Sequence, residues 1–359
     1  LRIGLVIYGN LQAVTGGFIY DQRLVTYLRN AGDEVHILSL PWRNTARHLL
    51  YNLSSNFIKR ISALRLDILL EDELNHPSCL VLNQRLKYKE RCHVISIVHH
   101  LRMDEKQNGV QILNNWVEET YLRSVDGFIF NSQTTASSVG RFADRLPSVI
   151  AHPGKDRYSP DMTKKQIAQR SQQKGPLGIV FLGNVTPRKG LDTLIRALQT
   201  LPYEQWRLTV IGSTERNKKY SREISKQVLA SGMSDNVTFT GEQNAAVVTR
   251  YLRNSQLLAV PSYYEGYGLV YAEGMGFGLP AIGTQSGGAS EIIGHDSNGF
   301  LIKPHDVAAL TSHLELLISN RKKLQRMSMR ALQSYQKLPR WQDTTCKIRD
   351  FLCATAHAA

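Results

Sequence analysis

The chain has 359 residues, of which 42 % are apolar, and a mean hydropathy of −0.27. That length exceeds what a single hydrophobic core serves and predicts two domains. No run approaches the ~18 to 20 apolar residues of a spanning helix, so the chain reads as a soluble globular protein. Forty-four Lys and Arg against thirty Asp and Glu give a formal charge of +14 and a pI near 9.6, enough to draw nucleotides, acidic lipids or nucleic acid without choosing among them. Cys79, Cys92, Cys346 and Cys353 show no C-x-x-C or Cys/His ligand spacing, so a reduced, cytosolic protein without structural zinc is expected. The opening Leu1-Arg2-Ile3-Gly4-Leu5-Val6-Ile7 reads as a buried strand and not as a signal peptide.

In chain order, a strand over 3–8 leads through Thr15-Gly16-Gly17 into a helix over 19–31 and a strand over 34–40. Residues 42–66, bounded by Trp42 and Leu66, place Leu49, Leu50, Leu53, Phe57, Ile61 and Leu64 at helical spacing, with Arg43, Arg47, His48, Lys59, Arg60 and Arg65 between them. Such a basic amphipathic helix either packs on its sheet or lies on an anionic bilayer. Strands follow over 68–70, 94–98, 128–131 and 148–151. The polar, proline-bounded stretch 161–176 reads as a linker. The grammar then repeats: a strand over 177–182, the turn Gly183-Asn-Val-Thr-Pro-Arg-Lys-Gly190, a helix over 191–199 and a strand over 207–211. Further strands over 237–240, 257–260 and 281–283 precede a helical tail with Trp341, Ile348 and Phe351. The expected fold is α/β, with two doubly wound, Rossmann-like domains over 1–160 and 177–339 that face a central cleft, and a helix over 340–359 returning to the first.

The richest segment is Glu265-Gly266-Tyr267-Gly268-Leu269-Val270-Tyr271-Ala272-Glu273, two carboxylates seven residues apart. Pro261 ends the strand before it, and ligand crevices of open α/β sheets lie at that carboxyl end. The glycines admit close backbone approach, and the amides of Gly268 and Leu269 at a helix start suit an anion. Ionised Glu265 and Glu273 only accept hydrogen bonds, so they suit sugar or ribose hydroxyls better than phosphate. Arg188 and Lys189, on the turn opening the second domain, can clamp a diphosphate. Gly16 and Gly17 occupy the equivalent turn of the first domain. His99 and His100 end the strand 94–98, where an imidazole can hydrogen-bond a sugar hydroxyl or shuttle a proton. Ser286-Gly287-Gly288-Ala289-Ser290-Glu291 offers a further flexible backbone that can follow a ligand, and Gly241 closes the strand 237–240.

Together these residues resemble the retaining glycosyltransferases of family four, the glycosyl transferases group 1 type with GT-B architecture. The resemblance rests on Gly183-Asn184 through Pro187-Arg188-Lys189-Gly190-Leu191, on Glu265 through Glu273, on Gly278-Leu279-Pro280, and on Gly287-Gly288 with Glu291. Asn131-Ser132 and His152-Pro153-Gly154-Lys155-Asp156 fit the exit of the first domain. It implies that Arg188 and Lys189 neutralise a donor diphosphate, that Glu265 holds donor-sugar hydroxyls and that Glu273 binds the ribose. It further implies that Gly266, Tyr267, Gly268, Leu269 and Gly241 line the donor, that Gly16 and Gly17 form the loop where donor and acceptor meet, and that His99, with His100 as the second candidate, stands beside the donor sugar. The stretch Ile211-Gly212-Ser213-Thr214-Glu215-Arg216 departs from the family in lacking Asp-Gly, and Gly274 replaces its usual alanine.

The implied reaction is transfer of a hexosyl unit with retained anomeric configuration. The donor is a nucleotide-diphosphate sugar, UDP-glucose first and GDP-mannose as the alternative. The acceptor is a glycan or a polyprenyl-diphosphate-linked sugar in exopolysaccharide or envelope-glycan assembly. No Asp-x-Asp signature occurs and two cations face the diphosphate, so no metal or other cofactor is expected. A cytoplasmic protein, peripheral on the inner face of the cell membrane through residues 42–66, follows from the charge. Two rivals remain: a sugar-nucleotide epimerase, against which the Glu spacing argues, and a basic nucleic-acid or membrane binding protein. The nucleic-acid reading leaves the glycine turns unexplained and lacks interleaved aromatics, so no nucleic-acid partner is expected.

Overall fold

The computed structural model describes residues 1–12, 15–43, 45–87, 92–104 and 111–357. They form two compact units, the first made of residues 1–154 with 339–359 and the second of residues 155–338.

The first unit is built on six parallel strands, β1 (Arg2–Tyr8), β2 (Glu34–Leu40), β3 (Ile68–Asp72), β4 (His93–Val98), β5 (Gly127–Phe130) and β6 (Ser148–Ile150), in the order β2-β1-β3-β4-β5-β6. β1, β3 and β4 are near-continuous apolar runs, as strands covered on both faces must be, and their side chains are almost wholly buried. The helix Gly16–Asn30 starts where Thr15 accepts a hydrogen bond from the Phe18 amide. The C-terminal helix Trp341–His357 belongs to this unit: the Thr344 hydroxyl donates to His152 O, and Gly154 lies so close to Trp341 that a Cβ there would sit 2.2 Å from its backbone nitrogen.

The second unit repeats the scheme with β7 (Leu177–Leu182), β8 (Trp206–Ile211), β9 (Val237–Gly241), β10 (Leu257–Ala259), β11 (Ala281–Thr284) and β12 (Gly299–Ile302), in the order β12-β11-β10-β7-β8-β9. Strand order reverses between β1 and β3 in one unit and between β7 and β10 in the other. At such switch points neighbouring connections leave towards opposite faces and open a crevice beyond the carboxyl ends of the strands.

Two expectations are corrected. Residues 161–176 are not a linker: Thr163 and Gln166 form a reciprocal cap that starts the helix Lys164–Gln172. Its Ile167 is buried against Gly278, and the Arg170 guanidinium donates to the carbonyls of Arg253, Phe277 and Gly278. The polar composition belongs to its outer face. Residues 42–66 are not one helix either. Thr45–Leu50 gives way to a tight turn, Tyr51–Leu53, and a second helix, Ser55–Leu64. The buried Asn52 side chain causes the break, donating to Leu49 O and Pro77 O and accepting from the amides of Val81 and Leu82. Ser54 then caps the second helix, whose Phe57, Ile58 and Ile61 are buried, while Trp42, Leu50 and Leu53 remain exposed. Residue 44 of this stretch lies outside the described residues.

Candidate functional site

In unit 2 the switch point gathers charge. β7 ends at Leu182 and the chain turns through Pro187–Lys189 before the helix Leu191–Gln199. Gly190, at φ +68°, is required at that turn because a Cβ would lie 2.1 Å from Pro261 O. That close approach brings Arg188 and Lys189 to the segment following β10. The Lys189 Nζ donates to Glu265 Oε1 at 2.5 Å, the Ser262 hydroxyl donates to the same oxygen at 2.6 Å, and Arg188 lies 3.6 Å from Glu265 Oε2 while donating to Tyr264 O at 2.8 Å. Burial pushes the Glu265 carboxyl up, but Lys189 and Arg188 outweigh it and hold the carboxyl down at about 2. Burial also draws Lys189 down, with Glu265 acting in the opposite sense. We take the pair as charged, because each ion is the other's compensation in a dry site.

The helix Leu269–Gly276 begins beside this cluster at Gly268, whose φ of +91° and contact with the Tyr271 ring leave no room for a Cβ. The amides of Leu269 and Val270 open its first turn, in which the Tyr271 amide already donates to Gly268 O at 2.9 Å. Glu273 is buried on that helix, Oε1 accepting from Arg157 at 3.0 Å and Oε2 unpartnered; burial raises its pKa against the pull of Arg157. Two roles change. Gly287 and Gly288 do not supply a pliable backbone for a ligand: they press on the site's own backbone, where a Cβ would meet Glu265 O at 2.0 Å and Gly266 O at 2.3 Å, and the Gly288 amide donates to Glu265 O. Tyr267 is buried in the apolar core of this unit, so only its backbone belongs to the glycine segment. Gly241, at φ +70°, ends β9 with its carbonyl accepting from Gly212 N.

In unit 1 the switch point gathers carboxylates. His99 follows β4, with its amide donating to Glu73 Oε2 at 3.0 Å, its carbonyl accepting from Asn131 at 2.8 Å and its ring Nε2 3.4 Å from Asp21 Oδ1. A Cβ on Gly17 would fall 2.9 Å from the His99 ring, whereas Gly16 faces open space. Gly17 is thus a glycine to admit the histidine, and Gly16 is the one left free for a ligand. His100 points aside, 3.7 Å from Glu73 Oε1. Burial pulls His99 down, and Asp21, Glu73 and Asp72 outweigh it, pushing the imidazole up to about 10. Asp72 is raised to about 6, by burial first and then by Asp21. Asp21, Asp72 and His99 bring one ligand atom each within 4.8 Å of one another, a spacing a cation can also bridge.

The sequence points to Arg188, Lys189, Glu265, Glu273, His99 and both glycine turns, and the structure places Arg188 and Lys189 against Glu265 in unit 2 and Gly17 against His99 in unit 1. The sequence motifs do not single out Asp21, Asp72, Glu73, Arg157 and Ser262 beside them. The run Glu71-Asp72-Glu73 directly after Ile68-Leu69-Leu70 was a readable signal, since three acids closing a buried strand sit at a carboxyl edge.

Residues 162–334, nearly all of unit 2, match the model of the family described as glycosyl transferases group 1. Unit 2 belongs to that family. A D-inositol 3-phosphate glycosyltransferase of Nocardia farcinica is 26 % identical over 257 residues, 69 % of this chain and 57 % of that protein. An uncharacterized glycosyltransferase of Haemophilus influenzae is 32 % identical over 145 residues, 40 % of this chain and 39 % of that one. The chain spans about half the length of the curated relatives it matches, 49–57 % of four D-inositol 3-phosphate glycosyltransferases. Over its whole length it shares the fold of sucrose-phosphate synthase from Thermosynechococcus elongatus, with TM-score 0.83, 20 % identity and 100 % of both chains covered. Anabaena HepE, solved with UDP and glucose, superposes with TM-score 0.79 at 18 % identity over 98 % of this chain and 99 % of that one. The architecture is that of GT-B glycosyltransferases.

Proposed function

We propose that the chain is a retaining, metal-independent hexosyltransferase that takes its sugar from a nucleoside-diphosphate donor. The observation that carries this is the meeting of Arg188, Lys189 and Glu265 at the β7/β10 switch point, beside the first turn of the helix Leu269–Gly276. As a glycosidic bond stretches, negative charge collects on the departing diphosphate. Two cations and fixed helix-start amides stabilise that charge more than they stabilise the ground state. Glu265, held ionised, accepts from sugar hydroxyls and serves no nucleophilic step. Glu273, with Oε2 open, accepts from the ribose. Attack comes from the face the diphosphate leaves, so configuration is retained.

A UDP-sugar, UDP-glucose first, is the preferred donor; structures of HepE with UDP, glucose and UDP-glucose support that preference. The acceptor is a glycan or polyprenyl-diphosphate-linked sugar of polysaccharide or envelope assembly, met at the cytoplasmic face of the membrane. Among the described residues no helix is long and apolar enough to cross a bilayer. Exposed Trp42, Leu50 and Leu53, in one stretch of chain with exposed Arg43, Arg47 and Arg60, supply apolar and basic groups for anionic lipid. Flotation with anionic vesicles at low salt tests the membrane part, which absence of binding removes.

Calorimetry with UDP, GDP, ADP and their sugar conjugates, on the wild type and on Arg188→Ala, tests the donor site. Selective binding of one nucleotide diphosphate, lost in the variant, is expected. No binding of any nucleotide would sink the reading. Turnover unaffected by EDTA is expected; loss restored by magnesium or manganese would overturn metal independence.

A further inference from the structure

The segment after β10 carries a second set of bonds that the donor chemistry above does not use. Three consecutive residues there lean on the charged cluster. The Ser262 hydroxyl donates to Glu265 Oε1, the Tyr263 amide donates to Arg188 O at 2.7 Å, and Tyr264 O accepts from the Arg188 guanidinium. Arg188 is thus gripped at its backbone by Tyr263 and at its side chain by Tyr264. Peptide groups fix a neighbour only as firmly as their own segment is held, and the Tyr263 side chain supplies that hold. Its hydroxyl lies 2.7 and 2.8 Å from the two carboxylate oxygens of Asp192, the second residue of the helix Leu191–Gln199. Asp192 is fixed in turn. The Tyr220 hydroxyl, on the helix Lys218–Ala230, donates to Asp192 Oδ1 at 2.8 Å and accepts from the Asp192 amide at 3.0 Å, while Arg196 lies 3.3 Å from Oδ2. A carboxylate that accepts from two phenols and a guanidinium is a charge-assisted anchor, stronger than the neutral hydrogen bonds it organises. It is half-buried, where water competes for it less than on an open surface. The Tyr263 ring packs on His305, centroids 3.8 Å apart, and Gly190 lies against it, where a Cβ would fall 3.3 Å from the ring.

We propose that Asp192 is a positioning residue of the diphosphate site: through the Tyr263 hydroxyl it locks residues 262–264 onto the turn Pro187–Lys189, and so sets where the Arg188 guanidinium stands relative to Glu265. Asp192 acts through Tyr263 and takes no part in the chemistry. Its effect is preorganisation, since a cation stabilises developing charge best when it already stands in place, and the planar fork of an arginine pairs two oxygens only in a narrow range of tilts. That the ligand is a diphosphate rests on the proposed glycosyltransferase activity. The tether from Asp192 to Arg188 does not.

The test is read on the full chain, first without and then with nucleotide. Without it, hydrogen exchange resolved to single amides reports the Tyr263 N–H, which is expected to be protected in the wild type and to exchange at least about tenfold faster in Asp192→Ala and in Tyr263→Phe, while the amides of β7 and β8 keep their protection. Calorimetry with UDP and GDP should then show the affinity for whichever binds falling at least about tenfold in each variant, whereas the matching nucleoside, uridine or guanosine, which lacks the phosphates, binds all three proteins within about twofold. The double variant should bind within about twofold of the weaker single one, because both substitutions remove the same tether. Tyr263→Phe removes one oxygen and leaves its ring on His305, so it gives the answer if Asp192→Ala fails to fold. Unchanged protection of the Tyr263 amide in Tyr263→Phe overturns the proposal. So do additive losses in the double variant, and so does an equal loss of affinity for nucleotide and nucleoside, the mark of a general loosening. Failure of the glycosyltransferase reading shows separately, as a wild type that binds none of UDP, GDP and ADP while the contrast in exchange persists.

Discussion

At the switch point of the first unit three buried carboxyls, Asp21, Asp72 and Glu73, surround one histidine, whereas at that of the second the buried Glu265 carboxylate is met by two cations, Arg188 and Lys189. Both stand beyond the carboxyl ends of parallel strands, and both are approached by a glycine turn opening a helix. The sheets differ in strand order, 2-1-3-4-5-6 in the first and 6-5-4-1-2-3 in the second when each is numbered from its own start. The comparison teaches that a doubly wound sheet supplies the place for a ligand and leaves the sign of the charge to a few residues after the strands. Acid in excess makes the histidine a cation. Cations in excess make the glutamate a permanent anion and leave positive charge to meet a diphosphate.

Removing the centre of the cationic site should have the largest effect. Glu265→Ala is expected to cut kcat by roughly a thousandfold, the scale of losing a preorganised polar contact, and to destabilise unit 2 by about 3 kcal/mol because Lys189 is left buried without its partner. Steady-state kinetics with urea unfolding checks both; near-normal turnover would remove Glu265 from the site. Gly190→Ala should come next, costing unit 2 on the order of 3 kcal/mol, since it combines a positive φ with a 2.1 Å approach to Pro261 O. Gly16→Ala, its counterpart opening the first unit's helix, should leave stability within about 0.5 kcal/mol because its Cβ meets nothing within 4 Å. If both alanines unfold the protein equally, the contrast between the two turns is wrong.

Acid and alkali should separate the units. Glu265 is held at about 2 against an ordinary 4.5, so its contribution is complete above pH 4.5 and lost as pH falls through 2. His99, raised from 6.5 to about 10, contributes fully below pH 6.5 and loses that contribution as pH climbs through 10. Asp72, raised from 3.8 to about 6, acts in the same direction: its contribution is present below 3.8 and gone above 6. Hydrogen exchange resolved by unit should therefore show the β7/β10 edge loosening in acid and the β1/β3 edge in alkali, each by on the order of 2 kcal/mol. Opposite behaviour would reverse the assignment of charges.

The smallest effect expected in the donor site belongs to Arg157. Its replacement by Ala frees Glu273 from its ion pair, and KM for the donor should change by about tenfold, some 1.4 kcal/mol, with kcat within about threefold. An unchanged KM would mean that Glu273 does not need its arginine to meet the ribose.

Much of this was local enough to read from the chain. Strands announced themselves as apolar runs, Pro261 marked the end of β10, and Pro187-Arg188-Lys189-Gly190 and Glu265 through Glu273 carry their spacing within a few turns of backbone. The linker was misread because composition reports the exposed face of Lys164–Gln172 and is silent about Ile167 and Arg170 beneath it. The break at 51–54 was misread because helical spacing continues through it, and only Asn52 bonding to Pro77 and Val81 ends the helix.

By itself, then, the sequence determined the doubly wound class, the two glycine turns, the Pro187-Arg188-Lys189-Gly190 turn and the Glu265-to-Glu273 motif, because each follows from residues close along the chain. Tertiary structure alone decided the rest. Asp21 and His99 are 78 residues apart, Arg157 and Glu273 are 116 apart, and Gly287 lies on Glu265 only through the register of two loops. Which buried charges meet is set by the order of strands in a sheet, and that order depends on packing that no local pattern encodes.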